Sequence, residues 1–115
     1  PKMRRTALLV RQVRDYVDEH FAEKLSLDLM AEHFHLSSGY LGSLFKSETG
    51  MTFRAYLRSV RIAKARELLA DQRLNLTEIA FAVGYEDINY FSQAFLDEVG
   101  ARPGEYRGTG KRWAR

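Results

Sequence analysis

The chain has 115 residues, 45% of them hydrophobic, no cysteine, and a formal net charge of +3. This length allows one domain or two very small ones that share a core. The absence of cysteine excludes disulfides and thiolate metal sites and fits a reducing compartment. No apolar run approaches the roughly 18 residues that a membrane span requires, so we expect no membrane partner.

The charge is spread unevenly along the chain. Residues 1–50 hold seven basic and seven acidic side chains, whereas residues 51–75 hold six and two. Residues 76–100 hold five acidic side chains and no basic one, and residues 101–115 hold five basic and one acidic. Positive charge in the middle and at the C-terminus suggests a polyanionic partner without being diagnostic.

Three helices are predicted before residue 50. Residues 7–21 form an amphipathic pattern, and Ser26 is a suitable N-cap for a second helix that ends near His35. Ser37 is placed to cap a third helix over residues 38–48, with Gly50 as its terminating glycine. We expect these inward-facing residues: Leu9, Val13, Tyr16, Val17 and Phe21, then Leu29, Met30, Ala31 and Phe34, then Leu41, Leu44 and Phe45.

The central stretch, residues 52–71, predicts a long helix with Thr52 as its N-cap. Its apolar residues lie on one face up to Val60 and on a rotated face from Ile62 onward, which implies two different neighbours. At 1.5 Å per residue such a helix would span about 30 Å. We expect it to join two small units.

The segments on either side of this helix repeat one another. Tyr40, Leu41, Phe45 and Gly50 recur 50 positions later as Tyr90, Phe91, Phe95 and Gly100. Ala31 recurs as Ala80, which is an offset of 49 positions. Asn75 and Glu78 form a capping-box pattern for the first helix of the second segment, and Asp87 caps the next. The chain thus carries a duplicated helix-turn-helix whose second turn is one residue longer.

The predicted fold is all-α, with about seven helices in two helix-turn-helix subdomains joined by a long linker helix. We place the first subdomain at residues 1–50, the linker helix at 51–72, the second subdomain at 73–108, and a basic tail at 109–115. A short helix begins at Pro103, which suits a first helical turn. Because the chain begins with Pro1 rather than Met, we expect it to be part of a longer protein.

A helix-turn-helix reads DNA through its second helix, which needs short polar residues on its outer face. Asn89 and Gln93 are the strongest candidates, because they lie one turn apart and both amides can bind the N6 and N7 atoms of adenine. Ile88 or Leu96 could contact a thymine methyl group or simply pack at the rim. The predicted base-reading residues are Ser38, Gly39, Gly42 and Ser43 in the first unit and Ile88, Asn89, Ser92 and Gln93 in the second.

Phosphate contacts are predicted for Lys46, Arg54 and Arg58, whereas Arg61 lies near apolar positions and suits internal bracing. A solvated basic face is the alternative for the arginines of the central helix. Two units could address major-groove segments about 10 base pairs apart. Gly39 and Gly42 each destabilise a helix by about 1 kcal/mol relative to alanine. Because glycine has no side chain, these two residues contribute little to base recognition.

Catalysis and metal binding are not expected. His33 and His35 are two residues apart and would not face one another on a helix, and the acidic pairs, such as Asp97 and Glu98, lack a partnered base. Tyr85, Tyr90, Phe91 and Phe95 are interpreted as core aromatics. We expect no catalytic residue, no metal and no cofactor.

Nearly the whole chain resembles the AraC/XylS family of bacterial transcription regulators. The later half matches at Ile79-Ala80, Val83-Gly84-Tyr85, Asn89-Tyr90-Phe91-Ser92, Phe95, Gly100, Pro103 and Glu105-Tyr106-Arg107. The earlier half matches at Leu41, Leu44-Phe45-Lys46, Glu48-Thr49-Gly50, Tyr56-Leu57, Arg61, Ala65 and Leu68-Leu69.

This resemblance implies a seven-helix, sequence-specific double-stranded-DNA-binding domain that activates transcription through RNA polymerase. It also implies recognition helices at residues 38–48 and 88–99, a location in the bacterial cytoplasm at the nucleoid, and a preceding effector or dimerisation domain. The chain departs from the family at Gln93 and Leu96, where basic residues are common. An alternative interpretation is a helix-turn-helix module that meets a protein through its acidic second subdomain.

Overall fold

The computed structural model describes residues 4–109, in which it has seven α-helices and no strand. The prediction of an all-α fold with about seven helices is confirmed. A basic tail is predicted at residues 109–115, and its residues 110–115 lie outside the part of the chain that the structure describes. The helices are α1 (Arg5–His20), α2 (Leu27–His33), α3 (Ser38–Thr49), α4 (Phe53–Leu68), α5 (Leu76–Ala82), α6 (Ile88–Val99) and α7 (Pro103–Thr109).

The chain forms two compact units, one up to Val60 and the other from Arg61 onward, so the boundary lies inside α4. The first unit packs α1, α2, α3 and the start of α4 around one apolar core. Phe45 of α3 meets Phe53 and Tyr56 of α4 edge to face, with ring centroids 5.8 and 5.6 Å apart. The buried core residues are Val10, Val13, Val17, Met30, Ala31, Leu41, Phe45, Phe53 and Leu57.

The second unit is organised around a run of aromatic side chains. Phe91 lies 5.7 Å from Tyr85 and 5.9 Å from Phe95, and Phe95 meets Tyr106 at 5.4 Å, measured between ring centroids. Such edge-to-face and tilted contacts stabilise a small core beyond the area they bury. The buried hydrophobic residues of this unit are Ile62, Ala65, Leu69, Ile79, Ala80, Val83, Phe91, Phe95 and Ala101.

The two apolar faces predicted for the central helix are confirmed. Phe53 and Leu57 are buried in the first unit, and Ile62 and Ala65 in the second. Thr52 is the N-cap, because its hydroxyl accepts a hydrogen bond of 3.1 Å from the backbone N–H of Ala55.

The helix is shorter than the predicted linker of residues 51–72, because α4 ends at Leu68. Its sixteen residues span about 24 Å rather than 30 Å. The carboxylate of Asp71 accepts hydrogen bonds from the backbone N–H and the guanidinium of Arg73, which makes a turn where the prediction continued the helix. These bonds lower the pKa of Asp71 to about 2.

The helix caps confirm the duplication. The side chains of Ser37 and Asp87 accept hydrogen bonds from the backbones of α3 and α6, the two predicted reading helices. Gly50 and Gly100 end those helices with φ of 80° and 90°. The capping box between Asn75 and Glu78 is also present. The turn spans residues 34–37 in the first unit and 83–87 in the second, so the second turn is one residue longer, as predicted.

One helix boundary and two burial predictions are corrected. The first helix runs from Arg5 to His20 rather than over residues 7–21, and it buries Val10 where Leu9 was expected; Leu9 is only half-buried. Leu29 was predicted to be buried but is 43% exposed. In a helix of only seven residues the next two positions, Met30 and Ala31, fill the inner face.

The turn between the two helices of each unit contains one residue with positive φ. His35 has φ of 60° in the first unit, and Gly84 has φ of 106° in the second. Glycine adopts this backbone region without the steric cost that a Cβ brings. The first unit therefore carries local strain that the second unit avoids.

Replacing His35 with glycine should raise the free energy of unfolding by about 0.5–1 kcal/mol, and Gly84→Ala should lower it by about 1–3 kcal/mol. Urea unfolding followed by circular dichroism measures both changes. Gly39→Ala is a matched control, since a Cβ at Gly39 meets no atom within 4 Å and should not destabilise. Equal effects of Gly84→Ala and Gly39→Ala would contradict this account of the turn.

Arg107 in α7 holds the end of α4. Its Nε donates to the carbonyl oxygen of Leu69 and its Nη2 to that of Asp71, each at 3.1 Å. Carbonyl groups just beyond a helix end lack intrahelical partners, so these hydrogen bonds satisfy them. The guanidinium of Arg66 also lies 5.6 Å from the ring centroid of Tyr106, which gives α7 a second attachment to α4.

The variant Arg107→Ala should lower the free energy of unfolding by about 1–2 kcal/mol, because two charge-assisted hydrogen bonds are lost. Arg107→Lys should lower the free energy of unfolding by a smaller amount, since a lysine ammonium does not reproduce the two parallel N–H donors of the guanidinium. Urea titration compares these variants with Arg102→Ala, which removes an exposed side chain of the same type. A loss no larger than that of Arg102→Ala would refute the role of Arg107.

Candidate nucleic-acid interface

Each unit contains a pair of short helices that cross at an alanine. Ala31 of α2 and Ala80 of α5 are both only 2% exposed. Their carbonyl oxygens accept hydrogen bonds from the backbone N–H groups of Leu36 and Tyr85, at 2.8 and 2.9 Å. Since a larger side chain would separate the helices, the alanines allow α3 and α6 to pack closely against α2 and α5.

Two inward residues, one helical turn apart, orient each reading helix. These are Leu41 and Phe45 in α3 and Phe91 and Phe95 in α6, all 0% exposed. Residues between them on the opposite side of the helix are therefore turned outward.

In α3, Gly39, Ser43 and Lys46 are exposed. Ser38 is half-buried, and its hydroxyl donates a hydrogen bond of 2.5 Å to the carboxylate of Asp28 in α2. The Ser38 hydroxyl therefore links the start of α3 to α2. It retains acceptor capacity toward an external partner.

Gly42 does not lie on the outer face as predicted. It is half-buried, and a Cβ built on it would lie 3.0 Å from Cδ2 of Leu27. A side chain at this position would require Leu27 to move, because the contact is closer than most Cβ atoms allow. Glycine at position 42 thus serves the packing of α2 against α3.

In α6, Asn89 and Gln93 are both exposed and one turn apart, as the sequence predicts. Ile88, Ser92 and Leu96 are half-buried at the edge of this surface. The amide Nε2 of Gln93 donates a hydrogen bond of 2.9 Å to the carboxylate of Asp97. The second unit therefore exposes neutral amides where the first exposes glycine and serine.

Two tyrosines on these helices were not predicted as site residues. Tyr40 is 50% exposed, and Tyr90, which was interpreted as core, is 73% exposed. Both precede the first inward residue of their helix by one position, which turns them away from the core. Their position one residue before the inward Leu41 and Phe91 is the signal that could have placed them at the surface.

The basic side chains fall into two groups. Lys46 and Arg54 are exposed, whereas Arg58 and Arg61 are half-buried. The guanidinium of Arg61 lies 5.3 Å from the ring centroid of Tyr85, which confirms the predicted bracing. Burial lowers the pKa of Arg61, and Tyr85 partly offsets this.

A further cluster links α1 to α4 in the first unit. The hydroxyl of Tyr56 donates a hydrogen bond of 2.7 Å to Asp18, and the guanidinium of Arg14 lies 5.6 Å from the Tyr56 ring centroid. Burial, followed by the hydrogen bond to Asp18, raises the pKa of Tyr56. This contact fixes α1 beside the start of α4.

Within residues 4–109 there is no group of three or more histidine, cysteine or acidic residues arranged to hold a metal. Across the same span no helix combines the length and the apolar character needed to cross a bilayer.

Comparison with known proteins identifies the family to which these helix-turn-helix units belong. A family model described as a helix-turn-helix domain matches residues 30–109. The uncharacterized HTH-type transcriptional regulator YijO of Escherichia coli (strain K12) is 36% identical over 103 residues, which are 90% of this chain and 36% of that protein. The HTH-type transcriptional activator RhaS of Escherichia fergusonii is 40% identical over 92 residues, covering 80% of this chain and 33% of that protein. The chain thus spans about a third of the length of these relatives.

Solved structures agree. The C-terminal domain of AraT, a response regulator from Geobacillus stearothermophilus, has a TM-score of 0.87 and 39% identity, covering 92% of this chain and 88% of that one. The DNA-binding domain of AdpA, in complex with a target DNA, shares the fold at a TM-score of 0.83 and 22% identity, covering 90% of this chain and 93% of that one. The chain belongs to the AraC-type family of helix-turn-helix DNA-binding transcription regulators, which are not enzymes, as the sequence predicted.

Proposed function

We propose that this chain is the sequence-specific DNA-reading part of a bacterial transcription regulator, with α3 and α6 in successive major-groove segments of one duplex. The observation that carries this proposal is the duplicated reading helix. Both helices have twelve residues, a side-chain N-cap, a glycine C-cap and two buried residues one turn apart, and each exposes its opposite face. A helix in the major groove needs such a firmly oriented, uncovered face.

The contacts fall into three groups. Asn89 and Gln93 are the strongest base-reading residues, and Ile88 and Ser92 join them in α6. The base-reading residues of α3 are Ser38, Gly39 and Ser43. Gly42 serves the packing of α3 against Leu27 rather than base contact. Lys46, Arg54 and Arg58 contact phosphates, and the half-buried Arg58 is expected to contribute least of the three.

Transcription activation is the proposed outcome of binding. The relative RhaS is named a transcriptional activator, and this chain matches it at 40% identity. An activator works by touching RNA polymerase, so we propose polymerase as a partner. Since the chain covers about a third of such relatives, we also propose a further domain for effector binding or dimerisation, in a protein of the bacterial cytoplasm acting at the nucleoid.

A protein contact through the second unit is the alternative function, and one observation favours it. Phe81 on α5 is 58% exposed in a unit whose residues 76–100 carry five acidic and no basic side chains. An exposed aromatic ring within an acidic surface suits a basic protein partner. The same domain can use this surface while α6 is on DNA.

Selection from a randomised duplex pool at low salt tests sequence-specific binding. We expect a site with two short elements about 10 base pairs apart, since each reading helix addresses one element. The double variant Asn89→Ala, Gln93→Ala should lose preference in one element and keep the other. Each lost base contact should cost about 1–3 kcal/mol of discrimination.

The proposed function would be excluded if no site is enriched from the pool, either by the chain alone or by the chain fused to a dimerising segment. An enriched site that the double variant leaves intact would assign the second unit to protein contact instead.

Salt dependence separates phosphate contacts from base contacts. Lys46→Ala and Arg54→Ala should each weaken binding to all sequences alike and reduce the slope of log K against log salt by about 1. Titration of labelled duplex at several salt concentrations measures this slope. Lys64→Ala, which removes an exposed cation paired with Glu67, is the comparison variant and should leave the slope unchanged. A slope unaffected by Lys46→Ala and Arg54→Ala would refute their assignment.

A further inference from the structure

The side chain of Gln93 is held by a neighbour on its own helix. Its Nε2 lies 2.9 Å from Oδ1 of Asp97, one turn further along α6, and both side chains are exposed. A carboxylate oxygen only accepts hydrogen bonds, whereas an amide has an accepting oxygen and a donating nitrogen. The contact with Asp97 therefore decides which end of the Gln93 amide is the nitrogen.

The remaining hydrogen-bonding capacity of Gln93 follows from this assignment. One N–H of the amide is engaged by Asp97, which leaves the second N–H and the carbonyl oxygen for an external partner. A carbonyl oxygen and one N–H are the pair that binds adenine in the major groove, where N6 donates and N7 accepts. The same pair does not match guanine, because O6 and N7 of guanine both accept.

We infer that Asp97 is a positioning residue that sets Gln93 to read adenine and to reject guanine. This inference rests on the proposed DNA-binding function and adds the base that one reading residue selects. Without Asp97 the amide of Gln93 can rotate and direct its NH₂ group at guanine. The discrimination then falls, although Gln93 itself is unchanged.

The first unit has no counterpart of this pair. In the repeat, Gln93 and Asp97 correspond to Ser43 and Ser47, which lack both the amide and the carboxylate. The pair therefore gives the second unit a restriction on base choice that the duplication does not supply to the first. An acidic residue on a DNA-facing helix also repels phosphate.

Two variants separate the hydrogen bond of Asp97 from its charge. Glu98→Gln removes one negative charge from the neighbouring exposed position of α6 and leaves the Asp97 carboxylate in place, whereas Asp97→Ala removes both the charge and the acceptor. Both variants should bind unrelated DNA more tightly, because each removes one negative charge from α6. Only Asp97→Ala should change the base preference.

The experiment is selection from a randomised duplex pool with the full chain, followed by competition binding on single-base variants of the selected site. The variant Gln93→Ala first identifies the base pair that Gln93 contacts, as the position where preference is lost. At that position we expect adenine in the wild type, with the preference for adenine over guanine reduced about two- to tenfold by Asp97→Ala. The same ratio should stay near the wild-type value in Glu98→Gln, which leaves the Asp97 carboxylate in place. Thermal unfolding of all variants verifies that α6 is intact.

The outcomes are distinct. Equal adenine-to-guanine ratios for Glu98→Gln and Asp97→Ala, whether high or low, would overturn the role of Asp97. An enriched site in which Gln93→Ala changes no position, or in which the affected base is guanine, would overturn the inference while the proposed DNA-binding function stands. A wild-type chain that enriches no site would overturn both.

Discussion

The structure depends on two inward side chains, one turn apart, on each reading helix. A unit of this size has room for few buried residues, so the orientation of α3 rests on Leu41 and Phe45, and that of α6 on Phe91 and Phe95. Everything that α3 and α6 present outward is defined relative to these pairs. A substitution of Phe45 or Phe95 would therefore disturb both folding and recognition, whereas most outward substitutions would disturb recognition alone.

The elements that local chemistry determines could be predicted from the sequence. Ser37 and Gly50, and likewise Asp87 and Gly100, bound the reading helices because caps act within one turn of the residue that makes them. The two buried faces of the central helix were visible in its apolar spacing. The repeat predicted the two helix-turn-helix units, because corresponding residues recur in both segments at a constant offset.

What escaped prediction depends on contacts between distant residues. Gly42 looked like an outward residue of α3, but its neighbour Leu27 lies on α2, and only the crossing of the two helices reveals the contact. Arg107 looked like part of a family pattern, whereas its hydrogen bonds reach carbonyls 38 and 36 positions earlier. The end of α4 was misjudged because the turn at Asp71 and Arg73 competes with the helix through side-chain bonds that helical periodicity does not show.

If the function proposed above holds, the close packing of Gly42 has a consequence for the kind of DNA site that this domain can recognise. A position that must stay small cannot carry a base-reading side chain, so α3 offers fewer donors and acceptors than α6, which carries Asn89 and Gln93. The two halves of a bound site would then differ in information content. The half under α3 would tolerate many sequences, and the half under α6 would largely decide which promoters belong to the same regulon.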